Sequence, residues 1–176
     1  GKWRTPQEIE ILEAGSRNEV IQKDWLSRLT RLRRDLDEPG KARAAAEAIA
    51  AIKEPEAINP LIQLLARERA RPAKALFVDT LLGMVASDPA LKNRVLSLLV
   101  TQAMKDKDIE VFYYIVDQLA KQNYPPVTER FVDFLASASN EQVNRGAEAL
   151  GKLQDPSATA PLIEALITTH RYNRRG

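Results

Sequence analysis

Few residues in this chain could do chemistry. There is one histidine, His170, and no cysteine in 176 residues. Zinc and iron sites draw on clusters of His, Cys and carboxylate ligands, so no such site is expected, and His170 reads as an exposed or capping residue near a helix C-terminus. A Ser-His-Asp relay would have to use His170 at the far end of the chain, and no Gly-x-Ser-x-Gly turn presents a serine. Neither glycine-rich phosphate loop, Gly-x-x-x-x-Gly-Lys-Ser/Thr or Gly-x-Gly-x-x-Gly, is present. Asp106 and Asp108 in Lys-Asp-Lys-Asp-Ile-Glu suggest a cation, but no further ligand follows at calcium-loop spacing. Their expected role is a solvated turn in which Asp108 caps the next helix. No catalytic residue, metal or cofactor is expected, and the chain is read as a non-enzyme.

Two features point to binding instead. Arg28, Arg31, Arg33 and Arg34 form one basic run, and Arg67, Arg69, Arg71 and Lys74 form another. Arginines sharing a helix face can track a phosphate backbone, but Asp35, Asp37, Glu38 and Glu68 are interleaved with them. The aromatic cluster Phe112, Tyr113, Tyr114 with Tyr124 is the other feature. One helix cannot bury three consecutive aromatics on one face, so one of them is expected to point to solvent or a groove, and the others into a core.

These residues must be held by helices. Hydrophobic residues make up 44% and charged residues 28%, enough for a real core and too apolar for a disordered chain. Aromatics are only 6%, so alanine and leucine carry the apolar load, which favours helix. Net charge is +2, which gives no bulk drive toward polyanions. No apolar run approaches the ~18 residues of a membrane span. The absence of cysteine suits either a cytoplasmic or an extracytoplasmic compartment. The first residue is Gly1, so the chain is expected to be a fragment of a longer protein.

The arrangement of the helices follows from a repetition. Ala46–Leu65, AEAIAAIKEPEAINPLIQLL, is echoed at Ala147–Leu166, AEALGKLQDPSATAPLIEAL. Each copy reads as a small-residue helix, an acid-proline turn and a second apolar helix. Val95–Leu99 and Phe131–Leu135 supply the second-helix motif in between, and Asp88-Pro89 repeats the turn. The period is therefore about 34 residues, in the range of helical solenoids. A hairpin of short helices cannot bury its stripe alone, so neighbours must stack. Pro55, Pro89, Pro125 and Pro156 mark the turns. Pro60 and Pro161 fall at the start of second helices, or inside them, where they would impose a kink.

The segments ARAAAEAIAAIKEPEAINPLIQLL and NRGAEALGKLQDPSATAPLIEAL closely resemble HEAT repeats, in particular the short bacterial HEAT-like subtype also found in phycobilisome lyases. The resemblance spans about residues 40–169. It weakens in the middle units, which lack the Pro of Pro-Leu-Ile and carry Phe112, Tyr113 and Tyr114 where alanine is usual. It implies an all-α, armadillo-like α-solenoid of about four hairpins, at 40–71, 72–106, 107–138 and 139–169. An N-terminal helical cap pair (1–39) precedes them and a frayed tail (170–176) follows. The pair would comprise a helix opened by a Thr5–Glu8 capping box and ended at Gly15-Ser16, then a second with Val20, Ile21, Trp25, Leu29, Leu32 and Leu36 at near-helical spacing.

The resemblance implies scaffolding more than catalysis. Second helices of such arrays line a concave surface. On the helical wheel the outward positions are Gln63, Ser97, Asp133 and Glu164, then Arg67, Thr101, Ser137 and Thr168 one turn on. A protein or peptide partner of mixed charge fits this column best. A nucleic-acid-binding module and an accessory, lyase-like subunit of an enzyme are the alternatives. A four-unit stack would also leave a C-terminal edge able to self-associate.

Overall fold

The computed structural model describes residues 5–168, apart from the side chains at positions 6, 9–13, 167 and 168. Among the described residues it is all-α: α1 (Pro6–Asp35), α2 (Ala42–Ala50), α3 (Ile58–Arg67), α4 (Arg71–Ser87), α5 (Lys92–Lys105), α6 (Ile109–Lys121), α7 (Pro125–Leu135), α8 (Asn140–Leu153) and α9 (Thr159–Thr168). The expected tail, 170–176, lies outside the described residues. The chain forms two compact units, Gly1–Leu91 and Lys92–Gly176. This division falls inside the expected second repeat, 72–106, so α4 belongs to the first unit and α5 to the second.

The acid-proline motifs become short 3-10 turns, Pro55–Ala57, Pro89–Leu91 and Pro156–Ala158. Proline presets the φ of each turn, and the acid satisfies an amide that the turn leaves open. Asp155 Oδ1 accepts from Ser157 N at 2.9 Å, and Asp88 Oδ1 accepts from Ala90 N at 3.0 Å. Pro60 and Pro161 are the third residues of α3 and α9. The first four amides of a helix have no intrahelical acceptor, so a proline there loses no hydrogen bond and needs no kink.

In the first unit, α1 packs on α2, α3 and the 3-10 turn at Pro55–Ala57, and α4 packs on both α2 and α3. Leu29, Ile49, Ile58, Leu61, Leu65, Phe77, Leu81 and Met84 are fully buried. The expected N-terminal pair is a correction: one helix of 30 residues runs straight through Gly15. Gly15 has no positive φ. A glycine costs a helix only about 1 kcal/mol, and with neither proline nor a left-handed turn there, nothing stops α1. Thr5 and Glu8 do form the capping box, with Glu8 N donating to Thr5 Oγ1 at 3.2 Å and Thr5 N to Glu8 Oε2 at 2.8 Å. Val20 and Ile21, expected in the apolar stripe, are exposed. It is the C-terminal part of α1 that carries the buried Leu29.

In the second unit, α5 packs on α6 and α7, α6 on α8, and α7 on both α8 and α9. Phe112, Phe131, Leu96 and Leu99 are fully buried. α8 comes close to α7 at Gly146. A Cβ there would meet Phe131 O and Phe134 Cβ, each at 3.2 Å.

The 34-residue period is visible in the polar contacts. Gln22 Nε2 donates to Glu56 O at 3.0 Å, Lys53 Nζ to Gly83 O at 3.2 Å, and Lys92 Nζ to Gln122 O at 3.4 Å. Lys152 Nζ meets Asp117 Oδ1 at 2.7 Å, and Thr128 Oγ1 donates to Asp155 Oδ2 at 2.8 Å. Each bond joins residues about one repeat apart and within one unit.

Two substitutions test this packing. Gly146→Ala gains helix propensity but forces a methyl against the α7 backbone, so the second unit should lose about 1 kcal/mol net in denaturant unfolding. Gln154 closes α8 at φ 53° and ψ 30°, in the left-handed region. Gln154→Gly should therefore raise stability by about 1 kcal/mol in the same measurement.

Candidate functional site

The predicted outward column has members in both units. Gln63 and Arg67, on α3 of the first unit, are exposed. In the second unit Thr101, Asp133 and Glu164 are exposed, while Ser97 and Ser137 are half-buried. Ser97 supplies its carbonyl to the Thr101 hydroxyl at 3.1 Å. The Ser137 hydroxyl donates to Gln142 Oε1 at 2.6 Å and accepts from Ser139 N at 3.1 Å, so it shapes the α7–α8 turn. The side chain of Thr168 lies outside the described residues, as does His170.

The aromatic cluster is used by the fold. Phe112 is buried, and Tyr113, Tyr114 and Tyr124 are half-buried, so none of the four is exposed as expected. Tyr113 donates to Glu148 at 3.3 Å, and Lys152 Nζ lies 5.0 Å from its ring centroid. Lys92 stacks in the same way on Tyr124, at 4.8 Å. Asp106, expected in a solvated turn, is 5% exposed. Its Oδ1 accepts from Asp108 N at 3.0 Å, and Arg145 of α8 donates to its backbone carbonyl and to that of Met104. Arg145 thereby caps the C-terminus of α5. Asp108 caps α6 through Glu110 N, as expected. No group of three or more His, Cys, Asp or Glu among the described residues is arranged to hold a metal, and no described helix is long and apolar enough to cross a membrane.

The basic runs are partly spent as well. Lys74 is buried. The Arg28 guanidinium lies 4.8 Å from the Trp25 ring centroid, and Trp25 is half-buried rather than in the core. Arg33 forms a two-pronged pair with Glu68, with Nη2 to Oε1 at 3.1 Å, and also bonds Asp37 at 2.8 Å. The Glu68 side chain is only 8% exposed and also accepts from Arg69 N at 2.7 Å and Ala70 N at 2.8 Å. Burial pushes its carboxyl up, but the bonds from Arg33 and the two amides prevail and hold it at about 2. This pair ties α1 to the α3–α4 connection.

Sequence reasoning named no residues for one further feature. Among the described residues of the second unit, a groove of about 530 Å³ runs between the last two helices. Val143, Asn144 and Ala147 of α8 face Leu162, Ala165 and Leu166 of α9 across it, with Leu135 and Asn140 from the α7–α8 connection. Its lip is apolar: Ile163 is 54% exposed and Leu166 69%. The contrast with the first copy of the motif is direct. Leu61 and Leu65 are 0% exposed, and they are Leu162 and Leu166 moved back by the repeat offset. Covering Leu166 fully would contribute about 1–2 kcal/mol. Part of the signal was available in the sequence, because the LIEAL stripe is as apolar as LIQLL.

The family model described as PBS lyase HEAT-like repeat matches residues 41–67 and 145–168. The chain carries HEAT-like repeats. The two matched HEAT-like segments are α2–α3 and α8–α9, the hairpins holding the covered and the uncovered stripe. No curated protein and no solved structure matches the chain.

The Arg33–Glu68 pair generates a prediction. Glu68→Gln should destabilise the first unit by about 2 kcal/mol at pH 7, since it leaves Arg33 without its buried counter-charge. Because the folded value of Glu68 is depressed to about 2, its contribution is complete above the ordinary glutamate value of about 4.3. It is lost as pH falls from there through about 2. Wild type and variant should therefore converge in urea midpoint between pH 5 and pH 2.

Proposed function

We propose that this chain is a non-catalytic protein–protein interaction module, and the observation that carries the reading is the uncovered apolar face of α9. Ile163 and Leu166 lie open together beside the groove, and it is contiguous exposed apolar surface next to a concavity, more than any single side chain, that marks interaction sites. An apolar face selects protein over nucleic acid, which would call for cations at a phosphate spacing. The basic runs support nucleic acid poorly, because Arg33 and Lys74 are committed inside the first unit. The exposed column, Gln63 and Arg67 on one unit and Thr101, Asp133 and Glu164 on the other, offers polar positions at which each unit could discriminate among partners.

The test is capture of partners from a lysate of the source organism, with and without nuclease, using wild type, Leu166→Asp and the double charge reversal Arg67→Glu/Asp133→Lys. Partners should survive nuclease and fall at least tenfold with Leu166→Asp. Charge reversal should weaken capture by a smaller factor. Loss of every partner on nuclease treatment would overturn the reading in favour of nucleic acid.

A further inference from the structure

We infer that the exposed arginines of α1 and of the α3–α4 connection, Arg28, Arg31, Arg34, Arg67 and Arg69, form a docking surface for an acidic segment of a partner protein. This is a second surface, in the first unit, and it does not depend on the open face of α9. In the sequence the two basic runs are diluted by Asp35, Asp37, Glu38 and Glu68. The fold removes much of that dilution. Arg33 takes both Glu68 and Asp37, and the Glu68 side chain is withdrawn from solvent. Lys41 holds Glu38 at 2.6 Å, and Asp35 is half-buried, 3.8 Å from Arg34. Among the described residues no carboxylate forms an ion pair with Arg31, Arg67 or Arg69.

The same contacts bring the two runs together. Gln22 bonds Glu56 O, 34 residues on, and Arg33 bonds Glu68, 35 residues on. α1 therefore runs parallel beside α3, on which it packs. With that register, Arg31 comes level with the last turn of α3, which ends at Arg67, and Arg34 comes level with Arg69. All five arginines are exposed. The helical rise sets Arg28 and Arg34 ~9 Å apart along α1, and packed helices lie about 8–10 Å apart. Arg28 sits over the Trp25 ring at 4.8 Å. Asp24, exposed one turn before it, marks the edge of the patch.

Size and chemistry choose the partner. A guanidinium fork matches a carboxylate in a two-pronged bond, as Arg33 already does with Glu68. An extended chain advances ~3.3 Å per residue, so an acidic run of about four residues spans the patch. Nucleic acid fits it less well. Single strands stack their bases on aromatic faces, and Trp25 beside the patch is half-buried with Arg28 over its ring. Duplexes are held by charge along many phosphates, and a net charge of +2 adds no field beyond the patch itself.

The test titrates the whole chain into three fluorescein-labelled probes at low ionic strength: a hexaglutamate peptide, its hexaglutamine counterpart and a thymidine dodecamer. Hexaglutamate should give saturable anisotropy, and hexaglutamine should not. Arg31→Glu/Arg67→Glu should weaken hexaglutamate binding at least tenfold. Both positions are exposed, and an unchanged circular dichroism spectrum would show that the fold is kept. Lys105→Glu/Lys121→Glu, at exposed positions of the second unit, makes the same change in net charge and should leave binding within twofold. Leu166→Asp should bind hexaglutamate as wild type does, which keeps this test separate from that of the α9 face. The inference is overturned if hexaglutamate does not bind, if hexaglutamine binds equally, or if the arginine variant loses no more than the lysine variant. Tighter binding of the dodecamer than of hexaglutamate would overturn it in favour of nucleic acid.

Discussion

A short helix hairpin has more apolar surface than its own two helices can hide. Each HEAT-like hairpin must therefore be covered by a helix from beyond itself, and the cover decides what each copy becomes. In α2–α3, helices α1 and α4 supply it, and Leu61 and Leu65 vanish from solvent. In α9, α7 covers one side and Leu166 remains open. The same stripe is core in one copy and, among the described residues, partly open in the other, with little change in sequence.

The polar network follows the same rule. Bonds that join residues about one repeat apart, such as Lys53 to Gly83 and Lys152 to Asp117, fix the register in which neighbouring helices meet. The Arg33–Glu68 pair does this with two charges held largely out of water, and the backbone amides of Arg69 and Ala70 complete the coordination of the carboxylate. Such a pair adds less net stability than its Coulomb energy suggests, but it penalises a misplaced α1 heavily.

Much of the helical plan was legible in the chain because its signals are local. Proline after an acid sets a turn, alanine and leucine at helical spacing set a hairpin, and a motif repeated after 101 positions sets the period. The failures lie where local signals are weak or silent. Gly15-Ser16 reads as a stop, yet a glycine with negative φ is a modest cost inside a helix. Asp106 reads as a solvated loop acid, yet the Arg145 that covers its carbonyl is 39 residues away. Phe112, Tyr113 and Tyr114 read as one aromatic too many for a buried face, yet Glu148 and Lys152, one repeat later, engage Tyr113. The candidate column was placed by wheel position alone, which finds outward residues but not which of them have been taken by neighbours, as Ser137 has. The groove was hidden for a different reason: it depends on which described helices pack over each copy, and that shows only when the two copies are compared.

The absence of cysteine allows the central claim to be measured directly. Leu166→Cys and Leu65→Cys place one thiol at matched positions of the open and the covered stripe, and the rate of modification by a neutral thiol reagent under native conditions reports the cover at each. If α9 presents an open binding face, the thiol at 166 should react at close to the rate of the unfolded chain, while the thiol at 65 should be slower by the opening equilibrium of the first unit, several orders of magnitude for a stable domain. Equal protection at the two positions would contradict the account, because it would mean that the last HEAT-like hairpin is already covered.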